Sequence, residues 1–232
     1  MTSQIVCVTC GESTPNLPGD HTICYVTAEE NLTSPCHRYQ GALERLETDV
    51  LIYVHDDLDI YNPEWLANVM FLFSYRPDIV AVGLGGAARL GNWDLYRKPY
   101  SIHNMARFGY VSNQTDWETH GGHCQGSGPV AVVDAFFMAI RRDWLMSCGG
   151  WPTEHLTHHC LDLWLACEAR RRGNEIWMVG ESCTHHGGRT STSARYAQAP
   201  WLQGGTLAED HARPHRWLWN EYRDVLPIER VV

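Results

Sequence analysis

The chain has 232 residues, 44% of them hydrophobic and 19% charged, with a formal net charge of −9 at pH 7. That length suits one domain, or one domain with a long insertion, around a substantial core. The acidic balance excludes nonspecific attraction to a phosphate backbone as a driving force, although a local basic patch can still meet a nucleic acid. No run approaches the ~20 apolar residues of a membrane span. Met1-Thr-Ser-Gln-Ile-Val-Cys-Val-Thr has no basic stretch followed by an apolar one, so no signal peptide is expected. The nine scattered cysteines are then expected as reduced thiols, and the location as cytoplasmic.

In chain order, residues 4–10 and 21–28 are expected as short strands joined by the Gly/Pro-rich stretch Gly11 to Asp20. Thr33 or Ser34 with Pro35 opens a helix to about Glu47. Val50 to Val54 is an apolar strand with His55, Asp56, Asp57 and Asp59 crowded after it. Asn62-Pro63-Glu64 starts a helix whose apolar positions Trp65, Leu66, Val69, Met70 and Phe73 recur at helical spacing. Asp78 to Leu84 is a strand running into Gly85-Gly86. Ala87 to Gly128 shows no sustained period, and so long an irregular stretch is usually functional. Its Trp93, Tyr96, Tyr100, Tyr110 and Trp117 would either stack on a ligand ring or pack the loop onto the domain. Pro129 to Arg141 is a strand pair or one bent strand, Leu156 to Arg172 a helix stopped by Gly173, and Glu175 to Val179 a strand. A polar loop from His185 to about Gly205 follows, with 188–205 able to close as a lid. An amphipathic helix near 209–224 ends the series, Pro214 limiting its start. Strands alternating with helices make the chain α/β, mostly parallel, with helices on both sheet faces. No Gly-x-Gly-x-x-Gly or Walker A sequence is present, so neither a dinucleotide site nor a P-loop is expected.

Acids at the carboxyl end of a strand lie where open α/β sheets bind ligands. Charge gathered there is costly unless a metal or a basic partner neutralises it. His55, Asp56, Asp57 and Asp59 therefore point to a divalent ion, or else to a solvated turn in which Asp59 or Asn62 caps the next helix.

Five blocks in order resemble the GT-A nucleotide-sugar glycosyltransferases, in a family 2-like branch whose acidic motif reads His-x-Asp. They are His37-Arg-Tyr-Gln-Gly41, Ile52-Tyr-Val-His-Asp-Asp-Leu58, Val132-Val-Asp-Ala-Phe-Phe-Met-Ala-Ile-Arg-Arg142, His158-His-Cys-Leu-Asp-Leu163 with Glu168-Ala-Arg-Arg-Arg-Gly-Asn174, and His185-His-Gly-Gly188. The resemblance implies a single GT-A domain over 1–232: a nucleotide-binding half at 1–59, an acceptor and catalytic half at 60–188, and a lid loop with a C-terminal helix at 189–232. It implies a nucleotide-sugar donor, UDP-linked, and a divalent metal, Mn²⁺ or Mg²⁺, bridging the donor phosphates as a Lewis acid. Asp57 matches the retained acid of the motif as first metal ligand. Asp59 competes, His55 stands at the first acid's position, and His185 or His186 would complete the shell, imidazole favouring Mn²⁺. Asp162 would be the base of an inverting transfer, with His159 second, because Cys160 occupies the first acid position of the family's block. Asp134 would bind sugar hydroxyls, or anchor the fold by hydrogen bonds. Thr9, Cys10, Gly11, Glu29, Arg38, Tyr39 and Asp56 would line the nucleotide. Acceptors handled by such an architecture include saccharides and hydroxymethylated DNA bases.

Two other classes compete. His120, His123, Cys124, His158, His159 and Cys160 are dense enough for a zinc hydrolase or zinc-binding module. Cys160 in place of an acid would also suit a noncatalytic nucleotide- or carbohydrate-binding protein.

Overall fold

A computed structural model describes residues 1–8, 14–26, 34–90, 107–108, 110–114, 119–122, 126–187, 199, 201–202, 207–226 and 228–229. The expected lid falls almost wholly outside them, as do Trp93, Tyr96, Tyr100, Trp117 and the side chain of Tyr110. In chain order the first elements are β1 (Ser3–Val8), β2 (Ile23–Val26), α1 (Pro35–Arg45), β3 (Val50–His55), β4 (Leu58–Ile60), α2 (Trp65–Tyr75) and β5 (Ile79–Gly83). Short strands follow: β6 (Gly86–Ala87), β7 (Arg89–Leu90), β8 (Arg107–Phe108), β9 (Tyr110–Gln114) and β10 (Thr119–Gly122). The remainder is β11 (Gly128–Val130), β12 (Val132–Val133), β13 (Phe137–Arg141), α3 (Arg142–Ser147), α4 (Leu161–Arg171), β14 (Glu175–Met178), β15 (Ser182–His185), α5 (Leu207–Tyr222) and β16 (Ile228–Glu229).

Seven strands form the main sheet in the order β11-β14-β5-β13-β3-β1-β2. β2, β1, β3, β5 and β14 run one way, and β13 and β11 run against them. The apolar run Val50–Val54 predicts a strand buried on both faces, and all five residues are fully buried. Strand alternation divides them. Leu51 and Tyr53 join a core with Tyr39 and Leu43 of α1, Leu145 of α3, Trp164 and Leu165 of α4, and Leu218 of α5. Val50, Ile52 and Val54 meet Trp65, Val69 and Phe73 of α2 on the other side. Helices thus cover both faces of a mostly parallel sheet.

A second sheet, β10-β9-β15-β4, stands against the α2 side. Three differences from the sequence expectations matter for the site. Pro129 to Arg141 is neither a strand pair nor one bent strand but three pieces. β11 and β13 belong to the main sheet, while β12 leaves it to pair with β6. The helix expected from Leu156 begins at Leu161, because Cys160 holds a left-handed φ of 67° that ends any helical register before it. Leu156 is fully buried from a turn instead. Pro214 sits inside α5 rather than limiting its start. Pro214, Leu218 and Tyr222, spaced by four, are all buried, and that packing offsets the hydrogen bond proline cannot make.

Candidate active site

β3 ends at His55, and the chain turns through Asp56 and Asp57 before entering the second sheet as β4. β15 pairs antiparallel with β4, setting His185 opposite Leu58 and Thr184 opposite Asp59. His186 N–H donates to the Asp57 carbonyl at 2.9 Å. This register carries His185 back to the mouth of β3, 130 residues from His55 in the chain. Phe136 fixes the geometry from a third side. Its carbonyl accepts from His55 N–H at 3.0 Å, and its ring stacks on His185 with centroids 4.9 Å apart.

The result is a compact triangle. His55 Nδ1 lies 3.2 Å from His185 Nε2, His185 Nε2 lies 3.3 Å from Asp57 Oδ1, and His55 Nδ1 lies 4.0 Å from Asp57 Oδ1. Asp57 Oδ1 is buried and has no well-formed hydrogen bond, an arrangement that ordinarily costs about 1–3 kcal/mol, and more for a charge. Ligand atoms about 2.0–2.2 Å from a shared ion stand about 3–3.5 Å apart from each other. Two of the three separations fall in that range and the third, His55 to Asp57, is 4.0 Å, so two imidazole nitrogens and a carboxylate oxygen could close on a divalent transition ion. Burial, and then the neighbouring His185, push His55 below the usual imidazole range and keep it in the neutral form a metal ligand needs. Burial pushes the Asp57 carboxyl up, but its close contact and charge interaction with His185, and then the charge of His55, bring it below its usual range.

The other residues expected around the ion divide. His186 Nε2 is 2.8 Å from Asp59 Oδ2, so these two pair with each other outside the triangle. Asp56 lies within electrostatic reach of Cys7 and Tyr39, towards β1 and α1. Arg38 is 8% exposed at the start of α1, where Ser34 caps the helix by accepting from His37 N–H. The Tyr39 ring is core, 4.5 Å from that of Tyr53 and 5.9 Å from that of Trp151. Thr9, Cys10, Gly11 and Glu29 lie outside the described residues.

Across the mouth stand Asp134 and Asp162. Asp134 N–H donates to the Gly85 carbonyl at 2.9 Å, and its Oδ1 accepts from Phe136 N–H at 3.4 Å. Asp162, in the first turn of α4, accepts from its neighbour Leu163 N–H at 2.9 Å. Burial and then the charge of Asp134 push the Asp162 carboxyl up to about 7, while backbone donors from Leu163 and Ala135 oppose the shift. A carboxylate poised near neutrality is suited to accept a proton from a hydroxyl. His158 and His159 stand edge to face with ring centroids 4.9 Å apart. Burial, and then His159, hold His158 well below its usual range.

Among the described residues, His55, Asp57 and His185 are the one group that could hold a metal ion; His158, His159 and Cys160 form none. Burial pushes the Cys160 thiol well above its usual range, away from the thiolate zinc requires. His123, Cys124 and the side chain of His120 lie outside the described residues. Sequence reasoning missed Phe136, whose signal was only an aromatic doublet in an apolar run. It also missed Glu181, buried beside β15 and accepting from Asn62 at 2.8 Å and Asn68 at 2.6 Å, with no local signal at all.

A family model described as a glycosyltransferase-like family matches residues 8–202. No curated protein matches the chain. Among solved structures, GalNAc-T7 with UDP, GalNAc and Mn²⁺ aligns at a TM-score of 0.58 and 10% identity, over 96% of this chain and 50% of that one. The mannosyltransferase PcManGT from Pyrobaculum calidifontis, in complex with GDP-Man and Mn²⁺, aligns at 0.48 and 12% identity, over 94% of this chain and 69% of that one. A197 from STIV aligns at 0.45 and 14% identity, over 78% and 82%. The chain spans half the length of GalNAc-T7, and at 10% identity that likeness is one of fold. With 195 of its residues inside the family model and its sheet and helices arranged as in GalNAc-T7, the chain belongs to the glycosyltransferase-like family and has the GT-A fold.

Proposed function

We propose that the chain moves a sugar from a UDP-linked donor to a saccharide hydroxyl, using a divalent ion held by His55, Asp57 and His185 and with Asp162 as base. The observation that carries this reading is the buried Asp57 Oδ1, without a well-formed hydrogen bond and facing two imidazole nitrogens at the carboxyl edge of the sheet. GalNAc-T7, solved with UDP and Mn²⁺, supports the choice of nucleotide and metal.

The ion would neutralise charge building on the departing diphosphate. The protein's own residues supply the rest. The acceptor oxygen attacks the anomeric carbon as the bond from that carbon to the phosphate oxygen breaks, and Asp162 takes the hydroxyl proton. Its upward shift to about 7 leaves it largely protonated in acid and ionised above neutrality, so transfer should rise with pH through that value. With Asp162 as a base and not a nucleophile, the transfer would invert the anomeric centre. Asp134 would accept from a donor-sugar hydroxyl and Asp56 from the ribose. Arg38 would face the phosphates, with Thr9, Cys10, Gly11 and Glu29 towards the base. His159 is the second base, and His186 with Asp59 would steady the β4–β15 edge behind the ion.

The test is thermal stabilisation by UDP, GDP and UDP-sugars, with and without Mn²⁺, on the wild type and on Asp57→Ala. A ligand at 100 times its Kd adds about 2.7 kcal/mol. UDP is expected to stabilise the wild type only with Mn²⁺, and the variant not at all. Stabilisation that ignores metal, or survives in Asp57→Ala, would sink the reading.

A further inference from the structure

A cavity of about 450 Å³ opens at the far end of α4 from Asp162, among the C-terminal turns of α4 and α5 and the Cys148–Pro152 turn after α3. The cavity follows α4 from Trp164 to Arg172, and its charged end at Arg172 is ten residues, about 15 Å of helix, from the proposed base Asp162. Trp151 and Trp164, each 3% exposed, form its floor, and Trp217 and Tyr222 form a wall. His155 stacks on one face of the Trp217 indole, with centroids 4.4 Å apart and planes 13° from parallel, which holds that ring still.

The charged lining decides what could enter. Glu168, 7% exposed, accepts from Arg172 Nε at 2.6 Å and from Tyr222 OH at 2.9 Å, and forms an ion pair with Arg171 Nη2 at 3.1 Å. Arg171 Nη1 also donates to Glu221 at 3.1 Å, and its guanidinium lies 3.9 Å from the centre of the Tyr222 ring. Two arginines therefore face two glutamates, and the lining carries no net charge to select an anion or a cation. It offers the partly exposed Trp217 indole beside donors and acceptors held in ion pairs. A neutral pyranose has this complementary chemistry: an apolar C–H face to lie on an indole, and hydroxyls that both donate and accept.

We propose that this cavity is a second saccharide-binding site, which holds a sugar residue of the acceptor at a distance from the reacting hydroxyl. The proposal rests on the reading of the chain as a saccharide-directed transferase and adds that its acceptor is a chain rather than a single sugar. Remote binding of this kind raises local acceptor concentration without touching the chemistry.

The experiment titrates the full chain with neutral gluco-, manno-, xylo- and chito-oligosaccharides from disaccharide to hexasaccharide, read by tryptophan fluorescence and ligand-observed NMR. Wild type is compared with Trp217→Ala, with Glu221→Ala on the exposed rim, and with Arg216→Ala, whose 60%-exposed side chain pairs with Glu209 away from the cavity. UDP–Mn²⁺ stabilisation is measured on every protein in parallel. The expected result is that at least one longer oligosaccharide binds, that Trp217→Ala weakens it by about tenfold or more, and that Glu221→Ala weakens it by less. Arg216→Ala should leave it unchanged, and UDP–Mn²⁺ stabilisation should be the same in all four. Glu221→Ala, which removes no core contact, keeps the test valid if Trp217→Ala folds poorly. Absence of binding across the panel by a protein that still responds to UDP–Mn²⁺ overturns the second site alone. Binding that neither variant weakens also overturns it, as does UDP displacing the sugar from this cavity. Failure of UDP–Mn²⁺ to stabilise any of the proteins overturns the transferase reading instead, whatever the saccharides do.

Discussion

Asp57 and Asp162 carry opposite consequences for pH. Asp57 is drawn below its usual range by two imidazoles, and Asp162 is pushed up to about 7 by burial and by Asp134. A carboxyl with a folded value above its unfolded 3.8 favours the folded state in acid, and that contribution is lost as pH rises towards 7. Asp162→Asn removes this loss. Its melting temperature should therefore exceed the wild type's by a margin that grows between about pH 4 and pH 8, while transfer falls about 100- to 10,000-fold. Scans at several pH values check the sign, and a margin that shrinks with pH would contradict the assignment. Asp57→Asn should weaken Mn²⁺ binding by more than the 10- to 100-fold typical of residues behind a metal's ligands, as read by calorimetry on the metal alone.

Two short elements hold the site, and each has a position where backbone geometry dictates the residue. A Cβ on Gly86 would lie 2.3 Å from the Val132 carbonyl oxygen, across the β6–β12 pairing that precedes Asp134. Gly86→Ala must part those strands, at a cost of about 1–3 kcal/mol, and should lower transfer by moving Asp134. Denaturant midpoints and rates together check this, since a stable variant with full activity would disprove it. Cys160 holds φ 67° immediately before α4. Cys160→Gly relieves about 1 kcal/mol of left-handed strain but gives up the packing of a buried thiol and adds to the entropy of the unfolded chain. It should keep its activity and be less destabilised than Cys160→Val, whose β-branched side chain takes this φ only with strain. Equal midpoints for the two variants would show that the strain is absent.

At the scale of the whole molecule, the net charge of −9 bears on the acceptor. Double-stranded DNA carrying hydroxymethylated bases is expected to show no gel shift at about 0.1 M salt, because a net charge of −9 repels a phosphate backbone. A salt-dependent shift would move the acceptor from saccharide to nucleobase. Among the described residues no helix is long and apolar enough to cross a membrane. The cavity runs along α4, whose first turn carries Asp162, so one rigid element would link the transfer site to the proposed hold on the acceptor.

The sequence by itself determined the α/β class, β3 and its acidic end, the opening of α1 before Pro35 with Thr33 or Ser34 as its cap, and the family. These depend on periodicity, caps and ordered blocks, which are local in the chain. It ranked Asp57 first as metal ligand, with Asp59 competing and the choice between His185 and His186 open. The tertiary structure grouped His55, Asp57 and His185. The β4–β15 register brings His185 to Asp57 and pairs His186 with Asp59. A strand register is a relation between segments far apart in the chain, and a shift of one residue would exchange the two histidines between faces. The same reason hid the parting of β12 from β13, the stacking of Phe136 on His185, and the aromatic cavity assembled from α4, α5 and the turn after α3.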